Sequence, residues 1–278
     1  MSKDCDKLML ELKKGTKMVV MLAPSFVVNF DYPEIITMLK DLGFDKAVEL
    51  TFGAKVVNHE YHRQLKKTKT LLISTVCPGI ATTIKSQLPQ YEKNLARIVS
   101  PMVATARICK KIYPKHKVVF ISPCYNKIQE AKEFDSIDFV IGMDELVELF
   151  KQYKVKPKNN PKARFDKFYN DYTKIYPTSG GLSKTANLKG IIRPDEVMVI
   201  DGIADVIKFL KHPDKKIRFL DATFCIGSCI GGPLQNPNLT LEQKKKRVID
   251  YVNHAMHESI PETAKGIMKQ AKGIKLTY

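Results

Sequence analysis

Four of the six cysteines in this 278-residue chain lie in turns that carry glycine or proline: Thr75-Val-Cys77-Pro-Gly, Ser122-Pro-Cys124-Tyr-Asn-Lys127 and Phe224-Cys225-Ile-Gly-Ser-Cys229-Ile-Gly-Gly-Pro233. Thiolates hold iron–sulfur clusters, and a cubane takes four of them. Small neighbours let backbone N–H groups approach the cluster sulfides, which tunes the potential. The C-x3-C pair sets two thiolates on one turn. Structural zinc asks for two C-x2-C-like pairs, and the chain has none. The alternative is a set of buried cysteines acting as small hydrophobes. That suits Cys109, mid-helix between Ile108 and Ile112, and suits four cysteines beside proline and glycine less well. Cys5 reads as an incidental terminal residue.

The elements around these turns explain how distant cysteines meet. Pattern predicts strands over 17–22, 47–50, 70–74, 117–122, 137–141, 197–200 and 217–222. Helices are expected over 33–42, 54–66, 100–113 (capped by Ser100, with Pro101 first), 144–153, 204–211 and 240–254, the last capped by Thr240. The stretch 156–176 is polar, rich in lysine and tyrosine, and reads as an irregular insertion or lobe crossing. Alternation of strand and helix predicts an α/β fold, its mainly parallel sheets flanked by helices. Three strands end just before Cys77, Cys124 and Cys225. Ligands collect beyond the carboxyl ends of strands in such sheets, so the cluster site is expected in a cleft between two lobes, about 1–150 and about 151–278, of a single domain.

Composition bounds the partners. Forty-six Lys and Arg face 29 Asp and Glu, giving a net charge of +17. Nucleic acid is the first partner such a charge suggests, yet no helix-turn-helix, RNA-recognition or zinc-finger pattern accompanies it. Solvated helix faces account for most of these lysines. A field of one sign also speeds docking of an acidic redox protein. The opening MSKDCDKLML has no apolar signal region, and the run 18–23 is too short to span a bilayer. A cytoplasmic location without membrane contact is the expectation, and cytosolic cysteines point to metal or redox chemistry rather than a disulfide framework.

The three cysteine strings resemble the signature motifs of the catalytic domain of iron-only ([FeFe]) hydrogenases, T-S-C-C-P, M-P-C-x-x-K-x-x-E and E-x-M-A-C-x-x-G-C with a glycine run and proline after it. Cys77 matches the first; Cys124, Lys127 and Glu130 match the second at full spacing; Cys225, Cys229, Gly231, Gly232 and Pro233 match the third, with Asp221 for its glutamate and Ser228 for its inner glycine. Ala23-Pro24-Ser25, Thr51-Phe52-Gly53-Ala54, Ser100-Pro101 and Ser179-Gly180-Gly181 resemble further family segments in the same order.

The resemblance implies a minimal hydrogenase without accessory ferredoxin domains, performing reversible oxidation of H2 to protons and electrons. Its cofactor would be an H-cluster, a [4Fe–4S] cubane on Cys77, Cys124, Cys225 and Cys229, linked through Cys229 to a di-iron unit with CO, cyanide and a dithiolate amine. Pro24, Ser25 and Lys127 would contact the cyanides, with Glu130 pairing Lys127. Ser100, Pro101, Met102, Ser122, Gly231 and Gly232 would complete the cofactor pocket. The acid pair of the family's proton path falls near Glu60 and Gln64. An acidic ferredoxin and the hydrogenase maturation proteins are the implied partners.

Three departures bear on activity. Val76 stands where catalytic members carry a proton-passing cysteine, Met102 where they carry glutamine, and Ser122 where they carry methionine. Slow turnover is therefore expected. The alternatives are a hydrogen- or redox-sensing relative with the same cofactor, and an assembly factor that holds only the cubane.

Overall fold

The strand Met18–Leu22 is buried along its whole length, which is why its sequence is a continuous apolar run rather than an alternating one. Val19 and Met21 enter one core, and Met18, Val20 and Leu22 enter another on the opposite face. The computed structural model describes residues 2–278.

The strands are β1 (Met18–Leu22), β2 (Lys46–Glu49), β3 (Leu72–Ile73), β4 (Lys117–Ser122), β5 (Phe139–Gly142), β6 (Val197–Asp201) and β7 (Phe219–Thr223). The helices are α1 (Lys3–Lys13), α2 (Glu34–Leu42), α3 (Thr51–Lys67), α4 (Pro78–Gln87), α5 (Pro101–Ile112), α6 (Tyr125–Ala131), α7 (Met143–Gln152), α8 (Gly181–Thr185), α9 (Ile203–Lys211), α10 (Leu241–His257) and α11 (Met268–Ala271). One sheet has the order β2-β1-β4-β5 and the other β3-β7-β6. Every pairing is parallel, with Val20 opposite both Ala47 and Val119, Ile121 opposite Ile141, and Leu220 opposite both Ile73 and Met198.

Local chemistry sets the helix ends. Ser2 accepts from the Cys5 N–H at 3.2 Å and Thr240 from the Gln243 N–H at 3.3 Å, each satisfying an orphan donor of the first turn. Gly43, at φ 112°, closes α2 in the left-handed conformation that a Cβ disfavours. Ser100 occupies the cap position of α5 and Pro101 its first position, as expected, and the Ser100 hydroxyl makes no capping bond. Cys5 is corrected: it is fully buried in α1 among Leu8 and Met9.

The expected strands and helices are all present, shifted by a few residues at their ends. Unexpected are α1, α4, α6, α8 and α11. Two of these, α4 and α6, start immediately after Cys77 and Cys124, and the β-branched residues of α4 (Ile80, Thr82, Thr83, Ile84) obscure its helical character. Residues 156–176 hold no helix or strand and join the rest by isolated bridges, Val48 to Lys167 and Tyr169 to Lys265.

The two sheets are not divided near residue 150. β3, from the first half, pairs with β7 of the second, and α10 returns to place Val248 and Tyr251 in the core of the four-stranded sheet. A smaller core of Ile73, Ile80, Ile84, Val206, Leu210 and Leu220 supports the three-stranded sheet. Because β3 and β4 sit in different sheets, the turns after them face each other across the junction. Among the described residues, no helix is long and apolar enough to cross a membrane.

Candidate metal centre

Each cysteine turn follows from its local sequence. Cys77 precedes α4, whose first residue is Pro78, and Cys124 precedes α6; both are extended, with φ −100° and −160°. Cys225 leaves β7, and a short 3-10 turn, 228–231, carries Cys229. Gly227 (φ 78°) and Ser228 (φ 60°) turn the chain between the two thiols; the first position suits glycine, the second strains a serine. The close approach at Gly231 and Gly232 is equally specific. A Cβ at Gly231 would lie 1.9 Å from the Ile226 carbonyl oxygen and at Gly232 2.7 Å from that of Pro123. These glycines pack the Cys229 turn on itself and against the Cys124 turn.

The four thiols influence one another in every pairing: Cys77 with Cys124, Cys225 and Cys229; Cys124 with Cys225 and Cys229; and Cys225 with Cys229. Burial pushes the Cys124 thiol up to about 11 and the Cys229 thiol up to about 12, and raises Cys225, with the neighbouring cysteines adding in the same direction. Thiolates gathered this closely are stabilised by a positive centre, as a bound metal provides. Among the described residues, no three His, Cys, Asp or Glu side chains converge closely enough for a single ion, which draws its thiolates to ~2.3 Å from one centre. Four thiolate donors are the set that a [4Fe–4S] cubane takes.

Beside the thiols lies a cavity of about 90 Å³. Its walls are mainly apolar: Ala23 and Pro24 after β1, Leu50 and Ala54 at α3, Val76 and Pro78 at α4, Pro101 and Met102 at α5, and Pro177, Gly180, Gly181 and Leu182 from the stretch leading into α8. Cys77, Cys124 and Cys229 reach it directly. Polar groups are few: Lys127, Tyr176, Thr178, Asp221, Thr223 and Ser228.

Lys127 is held from behind. Its Nζ donates to the Val76 carbonyl oxygen at 2.9 Å and to Glu130 Oε2 at 2.6 Å. An ammonium has three N–H donors, and these contacts use two. Several hydroxyls around the cavity make no hydrogen bond: Tyr176 and Thr223 on its wall, and Ser25 and Ser100 buried beside the lining residues Pro24 and Pro101. Unpartnered buried donors carry a desolvation cost, which an acceptor-rich ligand in the cavity would offset. Asp221 is buried, its Oδ2 accepting from the Ser183 N–H at 2.9 Å, and burial raises its pKa.

Of the residues singled out in the sequence, Pro24, Pro101, Met102, Lys127, Cys77, Cys124 and Cys229 line this cavity, and Cys225 joins the thiol group. Glu130 is 3% exposed and backs Lys127. Ser122 donates to the Cys124 carbonyl oxygen at 2.7 Å and accepts from its N–H at 3.3 Å, fixing that turn without lining the cavity. Glu60 lies away from the cavity, ion-paired to Arg63 at 2.8 Å. Tyr61, its neighbour, turns inward and accepts from the Thr75 N–H at 2.8 Å. Sequence reasoning passed over Tyr176, Pro177 and Thr178, which have no motif around them.

An α/β protein with parallel sheets and four convergent thiols beside an apolar cavity has the architecture of a cluster-binding redox domain. Residues 16–233 match the family model described as iron only hydrogenase large subunit, C-terminal domain, and the chain belongs to that family. Iron hydrogenase 1 from Clostridium pasteurianum is 25% identical over 263 residues, 73% of this chain and 46% of that protein. The chain thus spans less than half the length of this relative. The fold is similar to that of an [FeFe]-hydrogenase, HydA(deltaEFG), solved in a study of stepwise H-cluster assembly, with TM-score 0.68, 16% identity, and coverage of 97% of this chain and 91% of that one. A variant of [FeFe]-hydrogenase HydA1 from Chlamydomonas reinhardtii also has TM-score 0.68, with 15% identity and coverage of 96% and 90%.

Proposed function

We propose that this protein is an [FeFe] hydrogenase, interconverting H2 with protons and electrons. The observation that carries the reading is the set of four mutually influencing thiols opening onto an apolar cavity in which Lys127 keeps an N–H donor free. In this reading Cys77, Cys124, Cys225 and Cys229 hold the cubane, and the adjoining cavity takes the di-iron unit of the H-cluster. When bound, that cofactor supplies the redox chemistry of the H–H bond.

The chain supplies binding and exclusion of water. Lys127 places its ammonium toward an anionic ligand, a charge-assisted hydrogen bond stronger than a neutral one. Glu130 and the Val76 carbonyl fix the direction of Nζ. The Ser25 and Ser100 hydroxyls are further donors for the same anionic groups. Pro24, Pro101, Met102, Leu50 and Leu182 keep the cavity apolar. Val76 holds no proton at the wall position it occupies; the exchangeable protons of the wall belong to the Lys127 ammonium, to the Tyr176, Thr178, Thr223 and Ser228 hydroxyls and to the Asp221 carboxyl when protonated. An acidic carrier such as a ferredoxin, attracted by the +17 net charge, would bring the electrons, and the hydrogenase maturation proteins would supply the di-iron unit.

Val76 specifically favours a second reading, a hydrogen or redox sensor with the same cofactor and little turnover. The test is an infrared spectrum after anaerobic maturation, together with hydrogen evolution from a reduced dye. Bands of bound CO and cyanide with turnover support the enzyme; the bands without turnover support the sensor. Absence of the bands, with iron present, would leave a cubane-only assembly factor.

A further inference from the structure

The outer edge of β6 is an unpaired parallel strand beside a basic groove. We infer that it takes an extended acidic segment of a partner protein, which adds to the sheet as a fourth strand. The inference does not depend on the cluster reading.

Pairing directions identify which backbone groups are free. β6 ends the sheet order β3-β7-β6. Gly202 N–H donates to the Thr223 carbonyl at 3.0 Å, and Met198 and Ile200 stand opposite Leu220 and Ala222. The even-numbered residues therefore direct their N–H and C=O groups to β7, and the odd-numbered ones direct theirs outward. Val197 N–H bonds back to the Pro194 carbonyl. Among the described residues, the outward N–H and C=O of Val199 have no loop, turn or side-chain partner. Edge strands are commonly blunted by lysine, proline or a bulge. The sequence Val-Met-Val-Ile-Asp has neither residue, and Val199 is 40% exposed.

Charge selects the occupant. An open groove of about 1130 Å³ runs beside this edge, with Ile191, Val197 and Val199 as apolar footing. Its cations are Lys184, Lys189, Arg193 and Arg218. The single lining carboxylate, Glu196, already lies 3.8 Å from Arg193 and 3.7 Å from Arg218. In β-strand addition, main-chain bonds give affinity and alternate side chains give specificity; here the matching side chains are acidic and β-branched. At the far end of β6, Asp201 Oδ2 accepts from the Gly227 N–H at 2.5 Å, between Cys225 and Cys229. A segment docked along the edge thus ends against the cysteine turn.

The test uses the full chain and a fluorescein-labelled peptide, Glu-Val-Glu-Val-Thr-Val-Glu, read by fluorescence anisotropy. Binding should saturate, weaken as salt rises, and fall by about tenfold or more when alternate peptide nitrogens are methylated. Val199→Pro should weaken it similarly, because proline is tolerated where an edge N–H faces outward yet removes the donor. Circular dichroism would establish that this variant is folded; if it is not, the N-methylated peptide on the unaltered chain decides alone. No saturable binding, or binding indifferent to N-methylation, would overturn the proposal, the latter leaving charge alone. A chain that sediments as a dimer, and as a monomer after Val199→Pro, would overturn it by assigning the edge to a second copy.

Discussion

Lys127 and Glu130, one turn apart on α6, form an ion pair of 2.6 Å in which the carboxylate side chain is 2% and the lysine side chain 12% exposed. Their spacing is the i, i+3 separation that puts two side chains on one helix face. The lysine half of the pair reaches the cavity and the glutamate half does not. Glu130 therefore orients the ammonium, and its remaining oxygen, Oε1, has no partner.

Removing one partner of such a pair leaves a charge poorly solvated. Glu130→Ala is expected to destabilise the chain by about 3–5 kcal/mol, read as a lower urea midpoint with unchanged slope. Adding Lys127→Met should recover part of that loss while preventing cofactor insertion. A double variant no more stable than Glu130→Ala would show that the pair does not act as a unit.

The thiols divide sharply by environment. Cys124→Ala and Cys225→Ala should each abolish the visible absorption of the cubane and lower the iron content. Cys109→Ala should preserve both, because Cys109 is packed among the residues of α5 with its thiol pushed far up by burial. Unchanged iron in the first two variants would sink the four-thiolate assignment.

Acid sensitivity has an identifiable contributor in Glu11 of α1. It accepts from Lys117 at 2.7 Å and from Lys14 and Thr16 at 3.0 Å each, contacts that hold its pKa at about 2 against an ordinary 4.5. A carboxylate depressed in the folded state contributes stability above its unfolded value, and loses that contribution as pH falls through the folded value. The thermal midpoint should therefore drop between pH 4.5 and about 2, and Glu11→Gln should flatten the slope there. A slope identical in the variant would remove Glu11 from the account.

Basic residues outnumber acidic ones by 46 to 29, and a carrier of opposite charge should feel that excess at a distance. Electron transfer from an acidic ferredoxin is expected to slow as salt rises, because the Debye length contracts from ~10 Å at 0.1 M to ~3 Å at 1 M. Stopped-flow reduction at several ionic strengths measures this. A rate independent of salt would reduce the lysines to solvation.

The cysteine centre was legible because each thiol is carried by a short local string, and strand ends bring those strings together. Glu60 lies on a different helical phase from the buried residues of its helix. α3 begins at Thr51, and its buried stripe runs through Val57, Tyr61 and Leu65, while Glu60 sits beside Arg63. Tyr176 left no local trace. Its position depends on the segment before it, anchored by Lys174, whose Nζ lies 2.6 Å from both Glu49 Oε2 and the Tyr251 hydroxyl. Those two partners stand 125 and 77 residues away, and no periodicity reports such a contact. The pairing of β3 with β7 is likewise a long-range contact that two apolar residues do not announce.

Val76 lines the cavity together with Cys77 and Lys127, its own carbonyl accepting from Lys127 Nζ at 2.9 Å. Backbone geometry at this position is therefore tied to the lysine, whereas the isopropyl group is free to be replaced. A general acid or base within reach of a reacting atom contributes ~10²–10⁴-fold to a rate, and valine supplies none. The chain is expected to evolve hydrogen slowly, and Val76→Cys to raise the rate provided that protons reach the new thiol. Tyr61 and Thr75 are buried hydroxyl groups joined at 3.1 Å, with Thr75 Oγ1 also within hydrogen-bond distance of the Ala96 and Ile98 carbonyls, and loss of the gain when Val76→Cys is combined with Tyr61→Phe would assign them the delivery. Rates would be compared after identical maturation and normalised to the intensity of the CO bands. Fast turnover by the valine form, indifferent to the added thiol, would point to Tyr176 or Asp221 on the cavity wall, and Tyr176→Phe would then be the variant that slows it.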